Sequence, residues 1–387
     1  MPKIERIVLI FLAVIILITS LSCTSLSTVS TDKTIEINTL VIPSRNHTRM
    51  QPEIYYSFMN SAKHIKSPMD FDFELFNPFM YTDENIEGVE KEFLNLFHNC
   101  VDEVVQIKKA NPKSSKLLDD IRIYIKTNPK SHLAEAYRRI KDIMNEYQFL
   151  IIESSDTYGL HPMFYKPDVF SIETPDGANE KDLIETLYDL LFIDAAFAQN
   201  KSIWGTCHGA QAGYIHAGGM LGRLFEYKKG GYEDVELKKH APKYIEEETW
   251  RIDTMLYTQE PGTNYQRTSI MVYEAPDIYK PENKKDVEMY LNKDFQHSFG
   301  MIKPIPEEIE VISYHPLSQY KSKVDNEKYQ AFNKEFKNIM KDQVIVDAYR
   351  YRTMMGTQYH PQYTYDDMET SVVFDYLIRQ IADRYKE

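Results

Sequence analysis

Ser202-Ile203-Trp204-Gly205-Thr206-Cys207-His208-Gly209-Ala210-Gln211 is the stretch on which the reading of this chain turns. Ser202 to Thr206 is a short, largely apolar run with the length of a buried strand, and a helix is expected to begin at His208. Gly205 and Gly209 flank the junction. Glycines on both sides allow a strand-to-helix turn too tight for side chains, and such a turn exposes its central residue, here Cys207. That thiol stands at a helix N-terminus, where the macrodipole and the first-turn N–H groups favour the thiolate. The same amides, beginning at His208, can bind an oxyanion. Cys207 is therefore the candidate nucleophile.

Working outward, Asp182 to Gln199 is apolar almost all round, the pattern of a central helix, and Phe149-Leu150-Ile151-Ile152 reads as a buried strand. Ser131 caps a further helix whose apolar residues, Leu133 to Tyr147, recur at three and four. The same spacing runs from Glu84 to Lys109 and places Cys100 on a buried stripe. Ile54 to Ile65 is expected to be helical, and Ile35 to Pro43 a first strand. Downstream, Val344 to Tyr349 and Met354 to Tyr359 form a hairpin, and Asn326 to Met340 and Thr370 to Tyr385 form helices. Strands alternating with helices imply βαβ units, a parallel sheet and helices on both faces. Insertions are expected near residues 84–127 and 222–300, the second charged, Tyr-rich and irregular.

Composition narrows the function. The 387 residues carry 45 Lys and Arg against 58 Asp and Glu, a formal charge of -13, without a long basic run. Nucleic acid is thereby excluded as a partner. Three cysteines, Cys23, Cys100 and Cys207, are too few and too far apart for a disulfide framework or a zinc site, so no metal is expected. Lys3 and Arg6 precede an apolar run from Ile7 to Ile18, too short to span a bilayer and arranged as an export signal over residues 1–22. Residues 23–34 are rich in Ser and Thr and read as a flexible tether. The chain is expected to leave the cytoplasm.

Far beyond the cysteine, Gly356-Thr357-Gln358-Tyr359-His360-Pro361-Gln362 closes a strand with a histidine before a proline. Pro361 keeps His360 extended, at a strand terminus, where sites in parallel sheets gather. The two segments together resemble the class I glutamine amidotransferase superfamily, with its G-x-C-x-G-x-Q elbow and late G-x-Q-x-H-P-E strand end. Ile42-Pro43, the His161-Pro162 loop and Ser313-Tyr314-His315 add a resemblance to the γ-glutamyl hydrolase branch, including the γ-glutamyl-γ-aminobutyrate hydrolases. The resemblance covers Ile35 to the C-terminus. It implies a flavodoxin-like three-layer α/β sandwich with a mostly parallel central sheet in residues 35–387. Ser20-Leu21-Ser22-Cys23 resembles a bacterial lipobox with Leu one place late, which implies a lipid on Cys23; an ordinary signal or a short uncleaved anchor is the competing reading.

The implied chemistry is cleavage of a γ-glutamyl amide through a Cys207 thioester with His360 as acid and base. Amides near Ser154 and His208 would bind the oxyanion, and Ser155, Gln211 and His315 would line the substrate site. No cofactor is implied, and the partner is a small γ-glutamyl compound or short peptide. Two residues depart from the family pattern. Gln362 stands where the family carries its third catalytic residue, Glu; a neutral amide can accept a hydrogen bond from the imidazole but cannot stabilise its charged form. Ser154-Ser155 stand where the oxyanion loop carries Gly. A catalytically weakened descendant that binds a γ-glutamyl-like ligand or a protein is thus the alternative. The glutaminase half of a synthase is disfavoured by export, which would separate it from an ATP-driven partner.

Overall fold

The computed structural model describes residues 34–43, 50, 52–77, 89–112, 114, 116–153, 159–175, 177–223, 225–228, 231–234, 265–271, 290–295, 299–302, 304–316, 344–364 and 368–385. The expected export signal, Cys23, the helix expected at Asn326 to Met340, Ser154 and Ser155 lie outside the described residues. Among the described residues no helix is long and apolar enough to cross a membrane.

The strand expected at the first apolar run is β1 (Ile35–Ile42), and those leading to the elbow are β3 (Phe149–Ile152) and β4 (Ser202–Thr206). The late hairpin is β12 (Val344–Tyr351) and β13 (Met354–Thr357), antiparallel to each other. β1, β3, β4 and β13 are successive parallel neighbours, joined beyond β1 by β2 (Met69–Leu75). Sequence reading passes over β2 because Asp70, Asp72 and Glu74 interrupt it. Its apolar residues nevertheless alternate, Met69 and Phe71 inward and Asp70 and Asp72 outward, and a charged face suits a strand at a sheet edge.

Helices cover both faces, giving the expected three layers. Along β4 successive side chains face opposite layers: Ile203 joins one core cluster and Trp204 the other. The first layer contains α2 (Val89–Ala110), α3 (Leu117–Thr127), α4 (His132–Asn145), α5 (Glu180–Ala198) and α6 (His208–His216). The second contains α1 (Pro52–His64) and the closing α7 (Met368–Tyr385), where Phe58, Trp204 and Phe374 meet edge to face. Ser131 caps α4 by accepting from the Ala134 amide. Cys100 is fully buried on α2, as its place on the apolar stripe predicts, and burial pushes its thiol pKa far up. The stretch expected as an insertion at residues 84–127 contributes Phe93, Phe97, Val104 and Ile121 to the main core.

The region expected to be irregular is corrected by the structure where it is described. β5 (Met220–Arg223), β8 (Tyr265–Met271), β9 (Tyr290–Phe295) and β10 (Phe299–Ile302) extend the central sheet antiparallel, with β11 (Glu310–Pro316) bridging β12 to β8. β6 (Phe225–Lys228) and β7 (Gly231–Asp234) pair separately. β8 (YQRTSIM) and β9 (YLNKDF) mix polar and apolar residues without a two-residue period, so the pattern does not announce them.

Candidate active site

The elbow has the backbone its glycines predict. Cys207 lies between β4 and α6 at φ 51° and ψ -103°, a left-handed region that a side chain occupies only at a cost of about 1–3 kcal/mol. Both flanking positions require glycine. A Cβ on Gly205 would lie 2.5 Å from the Gly209 carbonyl carbon, and one on Gly209 would collide with the carbonyl oxygen of Ile152 on β3. The strained turn is held from the neighbouring strand end: the Cys207 amide donates to the Thr357 carbonyl at 2.7 Å. The Thr206 hydroxyl donates to the Tyr359 carbonyl at 3.2 Å, and the Trp204 indole to the Thr357 hydroxyl at 3.3 Å.

These bonds fix where the second motif goes. Thr206 and Thr357 are register partners on parallel strands, so Cys207 and His360 follow the same ends of adjacent strands despite their separation in the chain. Helix geometry directs the first-turn amides of α6, beginning at His208, out of its N-terminus beside the cysteine.

One expectation fails at the sulfur. Cys207 retains only 5% of its surface rather than standing open, and Gln358, His360 and Gln362 beyond the neighbouring strand are themselves buried. The Gln358 amide nitrogen lies 3.7 Å from Sγ and is placed to donate to it. Sequence reading does not single out Gln358, although it sits inside the quoted motif. Gln211, expected to meet substrate, directs its side-chain amide to the Gln358 oxygen at 3.1 Å.

His360 is equally enclosed, 4% exposed, and burial lowers its pKa to about 4. Its imidazole is therefore neutral at pH 7. The side chain of Gln362 meets it in a manner different from the expected one. The amide nitrogen lies 3.2 Å from Nδ1; with the amide so turned, Nδ1 accepts and Nε2 carries the ring proton, whereas a reversed amide would accept from Nδ1. A glutamate there would instead accept from Nδ1 and leave Nε2 with its lone pair. The substitution thus removes a charge and, in the orientation seen here, places the ring proton on Nε2.

The His208 side chain turns away from this arrangement toward α5. Its Nε2 donates to the Asp189 carboxylate at 2.9 Å, both groups being buried. Burial, with Glu185 adding to it, raises the Asp189 pKa to about 6 against the opposing effect of His208. Pro43, Asn77, Glu153, Glu185, Asp189 and His208 line a cavity of about 10 Å³, room for roughly one water, at the ends of β1 and β3. Sequence reading misses these acids because α5 reads as apolar all round. Asp182, Glu185 and Asp189 recur at three and four within it, and buried carboxylates at that spacing are the signal that could have found them.

His315 lies on β11 opposite Ile345 of β12, and its side chain is outside the described residues. His161 packs within its loop: fully buried, it accepts from the Met163 amide at Nδ1 and meets the Ile172 carbonyl through Nε2. Among the described residues no group of His, Cys, Asp or Glu is arranged to hold a metal ion.

No family model and no curated protein matches this chain. Among solved structures its neighbours are glutamine amidotransferase-like. The glutaminase domain of Trypanosoma brucei CTPS with bound acivicin is 9% identical, covers 90% of this chain and 94% of its own, and has a TM-score of 0.40. A Thermoplasma acidophilum protein named as a GMP synthase component is 9% identical over 90% of this chain and 96% of its own, TM-score 0.38. A glutamine amidotransferase from Thermotoga maritima is 11% identical over 90% and 97%, TM-score 0.35. At these identities the likeness concerns the fold.

Proposed function

We propose that this chain is an exported cysteine hydrolase that cleaves γ-glutamyl amide bonds, held at the cell envelope by a lipid on Cys23. The observation that carries the reading is the strained Cys207 elbow tied by its own amide to the strand that ends in His360. In this reading Sγ passes its proton to His360 as it attacks the amide carbonyl carbon, and the α6 amides, with those of the Ser154 loop, hold the oxyanion. The imidazolium so formed gives that proton to the departing amine as the C–N bond breaks. Water then attacks the thioester, its proton passing to the imidazole, and glutamate leaves with the thiol restored. Every step uses protein groups and water alone. With its proton on Nε2, His360 lacks there the lone pair that must take the thiol proton, so slow turnover is expected.

A specific observation favours a second reading. The Gln362 donor on Nδ1 and the 5% exposure of Cys207 suit a protein that holds a γ-glutamyl compound or short peptide without turning it over. Incubation of the mature protein with γ-glutamyl amides separates the two. Glutamate release by the wild type and its loss, by about a thousandfold or more, in Cys207→Ser is the expected result. Equal traces from both proteins would leave the binding reading alone. Mass analysis of the native N-terminal peptide tests the anchor, which an unmodified Cys23 overturns.

A further inference from the structure

We infer that Gln358 and Gln211 form a buried amide relay that stabilises the thiolate of Cys207. The inference rests on the nucleophile reading above and goes beyond it by naming what replaces a charged imidazole. A thiolate in a closed site needs a donor or a cation to offset lost water. His360 is neutral at pH 7, and Gln362 adds no charge. The Gln358 amide, 3.7 Å from Sγ, is a donor in contact with the sulfur.

Its orientation is set relative to that of Gln211. A side-chain amide has one donor end and one acceptor end. Gln211 Nε2 donates to Gln358 Oε1 at 3.1 Å, which leaves the NH2 end of Gln358 for the sulfur. Reversing Gln358 would set two NH2 groups against each other and an oxygen against an anion. Both backbones are fixed as well: the Gln358 amide donates to the Asp347 carbonyl at 2.6 Å, and the Gln211 amide to the Cys207 carbonyl at 3.0 Å. Gln358 is fully buried and Gln211 3% exposed, so little water competes for either bond. Gln358 thus touches the reacting atom, and Gln211 is a positioning residue acting through it.

The test reads the thiolate without any γ-glutamyl substrate. The rate of iodoacetamide alkylation at Cys207 in the full chain is followed from pH 5 to 9, with the modified peptide located by mass so that Cys23 and Cys100 are scored separately. Gln358→Met, similar in size and without a donor, is expected to slow alkylation about tenfold at pH values below the thiol midpoint and to converge with wild type at high pH. Gln211→Met, which frees the Gln358 amide to turn, should slow it about threefold in the same range. A purely structural role would change the high-pH plateau and leave the midpoint alone. Midpoints unmoved in both variants overturn the relay; if Gln358→Met does not fold, the midpoint of Gln211→Met decides alone. Failure of the hydrolase reading is distinct, since it is scored by glutamate release and leaves the alkylation midpoints untouched.

Discussion

Two buried imidazoles belong to the elbow and to the segment beyond β13, His208 and His360, each 4% exposed and each in contact with a polar side chain. They differ in that partner. His208 donates to the carboxylate of Asp189, whereas His360 accepts at Nδ1 from the neutral amide of Gln362. Equal burial therefore gives unequal chemistry: a carboxylate fixes a proton on the nitrogen facing it, and an amide NH2 drives the proton to the opposite nitrogen. What a buried histidine can do at pH 7 follows from the partner's charge more than from the depth of the site.

The comparison can be broken on the His208 side. Asp189→Ala leaves the buried His208 N–H without its acceptor, and is expected to destabilise the protein by about 1–3 kcal/mol in urea unfolding. A loss below about 1 kcal/mol would mean that the pair contributes little to the fold.

The His360 side is read by pH. Its pKa falls from 6.5 to about 4 on folding, so the unfolded chain binds a proton that the folded chain refuses. Stability from this group is complete above pH 6.5 and is lost as pH falls toward 4, by about 3 kcal/mol in all. Urea midpoints at pH 7 and pH 4 should diverge more for wild type than for His360→Gln by that amount. Parallel pH dependences in the two proteins would show that the ring is solvated.

Gln362→Glu sharpens the contrast by giving His360 the kind of partner His208 already has. The carboxylate would accept from Nδ1, move the lone pair to Nε2 and raise the imidazole pKa. Glutamate release should rise at least about tenfold, equivalent to about 1.4 kcal/mol, measured against the wild type at pH 7. A fall in rate would show that the amide serves a geometry of its own.

Most of the parallel half of the sheet is legible in the sequence because each element writes itself locally: the apolar runs of β1, β3 and β4, the Ser131 cap, and the three-and-four spacing of α2 and α4. β2 escapes because its charged face masks a two-residue alternation, and the antiparallel extension because strands such as YQRTSIM and YLNKDF carry polar residues without that alternation. The elbow is legible for the same local reason, since Gly205 and Gly209 are required by the turn they flank. The acids of α5 are not, because the apolar residues around them dominate the period.

The sequence by itself determined that a cysteine sits on a strand-to-helix turn and that a histidine ends a later strand, because glycine, proline and hydrophobic period act over a few residues. Only the tertiary structure decided that β4 and β13 are neighbours in register, that the thiol is enclosed, and that Gln358 meets the sulfur while Gln362 meets Nδ1. Those outcomes depend on which distant groups share one dry space, and a proton or a hydrogen bond in such a space is set by its neighbours rather than by its own residue type.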